Sequence, residues 1–89
     1  MEIKREVKME RELVIGGIYC HYKGKEMLYK VIAEAIDSET LEELVIYQSL
    51  YEHGEYKKGT IWARPKKMFM EKINNEDYRF KFIGENENA

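Results

Sequence analysis

Eighty-nine residues with 44% apolar and 36% charged side chains and a formal charge of −2 describe one small soluble domain. That balance excludes a strongly basic nucleic-acid binder, and the single cysteine, Cys20, excludes an intramolecular disulfide. No apolar run approaches the roughly 20 residues of a membrane helix, and the charged N-terminus is unlike a signal peptide. The expected setting is a reducing cytoplasm, with no membrane association.

Residues 1–15 form an arm. A helix there would stack Glu2, Glu6 and Glu10, and Lys4 on Lys8, at a cost of roughly 0.2–0.5 kcal/mol per like-charged pair. Ile3, Val7, Met9, Leu13 and Ile15 fall on odd positions between charges, which suits an extended arm or edge strand; a solvated tail is the alternative. Gly16-Gly17 separates it from the domain. Ile18 to Tyr22 reads as a strand, Lys23 to Glu26 as a turn, and Met27 to Ile36 as a second strand. Strict alternation in that strand sets Tyr29, Val31, Ala33 and Ala35 on one face.

Asp37-Ser38-Glu39-Thr40 is a polar turn, because short oxygen-bearing side chains bond nearby backbone N–H groups. Leu44 to Tyr51 is a third strand, apolar on both faces and therefore central or placed where a barrel closes; a helix capped at Ser38 is the competing reading. Residues 52–59 form a polar loop with two glycines. Thr60 to Arg64 is a fourth strand, stopped by Pro65. Lys66 to Phe69 is a helical turn, Asn74 to Asp77 a turn, and Tyr78 to Ile83 a strand. The expected organisation is an arm (1–15), a domain (16–83) and a disordered polar tail (84–89). The fold class is mainly β: a small SH3-like β-barrel of about five strands with one short helical turn.

Ordered pieces of the chain carry a resemblance: Gly17-x-Tyr19-x-His21-x-Lys23-Gly24, Tyr29-x-Val31, Ser38-Glu39-Thr40, Val45-x-Tyr47 with Leu50-Tyr51, Trp62-x-Arg64-Pro65 and Met68-Phe69. Over about residues 16–73 the sequence resembles the bacterial domain-of-unknown-function family sixteen fifty-three. The resemblance implies an SH3-like barrel in the cytoplasm, without an assigned activity. In that family the domain also occurs joined to others, including nucleotide-hydrolase types, which implies an accessory binding role. The family usually has His where Asp37 stands, so no imidazole is supplied there.

The residues able to do chemistry gather near strand ends. Trp62 and Arg64 share a strand face, where an aromatic plane beside a guanidinium can hold a planar anionic group. The structural alternative is a packed Trp62, with Arg64 tied to Glu39 or Asp37. Ser38, Glu39 and Thr40 are either a ligand-bonding rim or turn caps. His21 is a rim donor or a partner of that turn. Tyr19, Tyr29, Tyr47 and Tyr51 are either an aromatic groove or core filling. The binding site is therefore expected to comprise His21, Ser38, Glu39, Thr40, Tyr47, Trp62 and Arg64. Neither a catalytic constellation nor a metal or cofactor motif is present. The reading favours a non-enzymatic module for a small anionic ligand or peptide, as a monomer or weak dimer. An accessory enzyme of small-molecule or nucleotide metabolism, and a nucleic-acid accessory using the basic C-terminal half, are the alternatives.

Overall fold

Residues 11–85 are described in a computed structural model; the expected strand character of residues 1–10 and the end of the tail, 86–89, lie outside them. Five strands and one helix follow in order: β1 (Ile18–His21), β2 (Leu28–Ile36), β3 (Glu43–Ser49), β4 (Ile61–Pro65), α1 (Lys66–Met70) and β5 (Phe80–Gly84). The strands form one antiparallel sheet in the order β4-β3-β2-β1-β5. The mainly β class read from the sequence is what is observed, and β3 is a strand where a capped helix competed. Arm residues 11–15 form no strand, and β5 reaches Gly84, into the segment assigned to the tail.

β3 is an interior strand, paired to β2 and β4, and both of its faces carry apolar side chains; the middle position of the sheet is taken by β2. Val45, Tyr47 and Ser49 are buried on one side, and Leu44, Ile46 and Gln48 are half-buried on the other. The core is a single aromatic cluster of Tyr19, Val31, Val45, Tyr47, Phe69 and Phe80. Phe69 stacks flat on Phe80 at 4.1 Å, and Tyr19 and Tyr47 meet Phe69 at 5.3 and 5.2 Å. Each such pair adds about 0.5–1.5 kcal/mol beyond burial, so a few rings stabilise a chain too short for a large core.

The sheet curls around these rings. Three strand spacings, about 14 Å in a flat sheet, separate β3 from β5. Yet the Tyr47 and Phe80 rings lie 5.6 Å apart, and Arg64 on one edge strand reaches Phe80 on the other. Among the described residues no backbone ladder joins β4 to β5, so the curl is closed by side chains.

Strict alternation in β2 is broken. Val31 pairs with Tyr47 but Ala33 pairs with Ile46, so Ile32 is an extra residue opposite β3. The expected face of Tyr29, Val31, Ala33 and Ala35 is therefore corrected. Beyond the bulge Glu34, opposite Val45, continues the Val31 face, and Ala33 and Ala35 turn outward with Ile46 and Leu44. Glu34 is thereby placed to bond Lys66 of α1 at 2.8 Å.

Five-residue α1 has no side-chain cap and follows Pro65 directly. So short a helix does not hold itself in water. Its one buried residue, Phe69, fixes it beneath the sheet.

Candidate functional site

Arg64 occupies the concave face of β4, opposite Val45. Its Nε donates to the Tyr47 hydroxyl at 3.1 Å, and its Cζ lies 5.3 Å from the centre of the Phe80 ring. Two rigid groups therefore orient a guanidinium that is itself half-buried. Neither Glu39 nor Asp37 bonds it; among the described residues, no ion pair to Arg64 is found. The tie anticipated from sequence runs to a tyrosine hydroxyl instead, which leaves the cation's charge without a carboxylate.

His21 ends β1 opposite Phe80, their rings edge to face at 4.9 Å. The backbone N–H of Lys23 donates to His21 Nδ1 at 3.2 Å. A neutral imidazole in that bond carries its proton on Nε2, a free donor. Burial lowers the His21 pKa from its ordinary value, and the charges of Arg64, Lys23 and Arg79 lower it further. His21 and Arg64 thus share one positive neighbourhood, with Phe80 between them as a wall. Phe80 was not among the expected site residues; the aromatic–basic alternation of Tyr78 to Ile83 was its only sequence signal.

Tyr29 and Tyr51 bond each other through their hydroxyls at 2.7 Å beside this cluster. Burial, and then that bond, raise the Tyr29 pKa far above the ordinary phenol value. Tyr19 and Tyr47 are buried in the core, so the four tyrosines do not form an open groove. Trp62 lies opposite Tyr47 on β4 but its ring meets Tyr56 of the loop at 4.9 Å. Its Nε1–H is buried without a hydrogen-bond partner.

The Ser38–Thr40 turn is the tip of the β2–β3 hairpin. Asp37 Oδ1 accepts from the N–H groups of Glu39 and Thr40 at 2.8 and 3.3 Å, and Thr40 Oγ1 accepts from Glu42 N–H at 3.2 Å. Leu41 closes the reversal at φ 66°, its N–H donating to the Asp37 carbonyl at 2.7 Å. Among the described residues the hydrogen bonds of this turn are all internal, and none reaches Trp62, Arg64 or His21. The structure therefore brings Arg64, Tyr47 and His21 around Phe80, with Trp62 adjacent, and sets Ser38, Glu39 and Thr40 apart at the exposed tip.

Two open clefts flank the sheet. One of about 730 Å³ is bordered by Arg11, Glu34, Lys66, Met70 and Tyr78, and one of about 540 Å³ by Cys20, His21, Tyr22, Lys25 and Lys81. His21 borders the second; Arg64, Trp62 and the turn border neither. Cys20 Sγ donates to the Gly24 carbonyl at 3.2 Å, and burial followed by the charge of Glu26 raises its pKa. Among the described residues no group of three or more His, Cys, Asp or Glu is placed to hold a metal ion, and no helix is long and apolar enough to cross a membrane.

The architecture is that of a small, mainly β domain with one cation-bearing aromatic patch. The chain belongs to the family described as protein of unknown function (DUF1653), whose match spans residues 17–82. That span covers β1 to β4, α1, the first three residues of β5 and the patch around Phe80. No curated protein and no solved structure matches the chain.

Proposed function

We propose that this domain is a non-enzymatic cytoplasmic binding module that takes a small anionic ligand, or the anionic end of a peptide, at Arg64. The observation that carries this reading is a half-buried, doubly braced guanidinium with no carboxylate partner among the described residues. Buried or half-buried cations are ordinarily paired, and a pre-oriented Arg fork matches carboxylate and phosphate oxygens. Nε is committed to Tyr47, so the terminal nitrogens are the ligand donors, and His21 Nε2–H adds another. Tyr47 and Phe80 are buried and brace the guanidinium from the core side; Trp62 flanks it on β4. Ser38, Glu39 and Thr40 join the rim only by movement of the hairpin tip, which makes them the outer members of the site.

The test is a thermal-shift screen of carboxylates, phosphates and nucleotides on the wild type and Arg64→Ala together. A ligand at a hundred times its Kd stabilises by about 2.7 kcal/mol, a shift of many degrees in a domain of this size. Stabilisation of the wild type that is absent in Arg64→Ala supports the reading. Equal stabilisation of both proteins refutes the site.

A further inference from the structure

β4 is an edge strand of the sheet, and its outer backbone groups have no partner strand among the described residues. Along β3, backbone bonds alternate between neighbours: Ser49 N–H donates to Thr60 O at 2.9 Å, toward β4, and Leu50 N–H to Leu28 O at 2.9 Å, toward β2. Antiparallel alternation then assigns the Tyr47–Trp62 and Val45–Arg64 pairs to the β3–β4 ladder. The N–H and C=O groups of Ile61 and Ala63 point the other way, off the sheet. Among the described residues no backbone bond outside the ladder engages residues 61–65. Ile61 is 55% exposed and Ala63 is exposed, so no side chain of the strand covers these groups. Natural edges are usually guarded by a charge, a bulge or a covering loop; here the guard is Pro65, which only ends the strand.

The segment that carries this edge bears charge of one sign, with Glu34 and Glu43 of the neighbouring strands beside Lys66 and Lys67 at one end. Residues 57–67 contain Lys57, Lys58, Arg64, Lys66 and Lys67 and no acidic residue, in a chain whose net charge is −2. Lys66 is bonded to Glu34, while Lys57, Lys58 and Lys67 form no ion pair among the described residues and stand at the two ends of the strand. A second copy added antiparallel about Ala63 would set Lys57 and Lys58 near Lys66 and Lys67 of its neighbour, like charge on like charge. A nucleic-acid strand offers no alternating N–H and C=O to the edge. The occupant that satisfies both the backbone groups and the charge is an extended acidic peptide.

We infer that β4 accepts an extended acidic segment of a partner protein as a sixth strand, paired to Ile61 and Ala63 and flanked by the two lysine clusters. Such strand addition takes its affinity from main-chain bonds and its selectivity from the flanking side chains. β4 spans about 17 Å, so about five or six residues of the partner are held. The surface is independent of the Arg64 side chain, which turns to the concave face.

The experiment is fluorescence anisotropy with a labelled peptide of alternating Glu and Val, its Lys–Val counterpart, and the acidic peptide N-methylated at every second residue. Wild type and Ala63→Pro are compared at low salt; the proline removes an outward donor and no ladder donor, and a urea melt checks that it folds. The acidic peptide is expected to bind saturably, with affinity falling as salt is added. The N-methylated peptide, the Lys–Val peptide and Ala63→Pro should each weaken binding about tenfold or more. N-methylation tests the main-chain bonds without altering the protein, so a misfolded Ala63→Pro leaves the test intact. The inference is overturned by no saturable binding of the acidic peptide, or by equal affinity for its N-methylated form. It is also overturned by tighter binding of single-stranded DNA that Ala63→Pro leaves unchanged, or by sedimentation showing self-association through the same edge.

Discussion

The bond between Arg64 and Tyr47 decides whether Arg64 is a braced ligand group or a loose surface cation, and a double-mutant cycle reads it directly. Tyr47→Phe deletes the acceptor and keeps the ring contacts to Phe69 and Phe80. Arg64→Met keeps an apolar stem and deletes the charge. A hydrogen bond nets about 0.5–1.5 kcal/mol, and up to about 3 kcal/mol when one partner is charged and shielded. Arg64 is half-buried rather than enclosed, so the coupling is set near 1 kcal/mol. The contact with Phe80 adds about 0.5–1 kcal/mol to the Arg64→Met cost alone. Single costs of about 1 kcal/mol for Tyr47→Phe and about 2 kcal/mol for Arg64→Met follow, with the double variant about 1 kcal/mol milder than their sum. For a domain of this length each kcal/mol corresponds to about 5 °C in Tm. Urea denaturation followed by circular dichroism, with the Trp62 emission as a second probe, gives all four stabilities. Additivity within about 0.3 kcal/mol would show that Tyr47 does not hold the guanidinium, and the reading of Arg64 as pre-oriented would fail.

Three further outcomes are expected. Phe69→Ala should cost about 3–5 kcal/mol, most of the stability of a small domain, because it empties the fully buried centre of the stack and releases α1; a loss under about 1 kcal/mol in a urea melt would deny the ring its role. His21 has a folded pKa below its unfolded one, so the unfolded chain binds more protons and stability falls as pH drops through the unfolded value near 6.5. The stability of the wild type relative to His21→Gln should therefore shrink between about pH 8 and about pH 5, and a widening difference would contradict the shift. Leu41→Asn should raise stability by about 0.5 kcal/mol, since Leu41 is 74% exposed at φ 66° and Asn adopts that backbone more readily; an unchanged or lower urea midpoint would count against strain at the tip.

Strands, turns and the short helix were legible because their signals are local. β-branched and aromatic runs bounded by Gly, Asp-Ser and Pro leave few other conformations, and the apolar residues on both faces of β3 mark it as an interior strand, between β2 and β4. The bulge at Ile32 was not legible. Nothing in Val31-Ile32-Ala33 distinguishes an extra residue from a regular one, and only the register against Tyr47 and Ile46 exposes it. Its effect is large, because it turns Glu34 inward to Lys66 and Ala33 outward. The grouping of the candidate residues was legible only in part. Trp62 and Arg64 share a face at spacing two, and Tyr47 lies across from Trp62. The distance from this group to Ser38, Glu39 and Thr40 depends on where a hairpin tip projects, which no spacing rule contains.

By itself the sequence determined a one-domain, mainly β chain stabilised by a few large rings, since composition and period-two patterning act on neighbours in the chain. The tertiary structure decided which rings meet. Tyr19, Tyr47, Phe69 and Phe80 come from four elements, and their convergence requires the sheet to curl until its two edges face one another. That curl carries Arg64 over Phe80 beside His21, 43 positions away in the chain. Among the described residues it leaves the outward backbone groups of β4 without a hydrogen-bonded neighbour. Both proposed recognition surfaces rest on long-range sheet geometry, which the local preferences of the residues permit but do not specify.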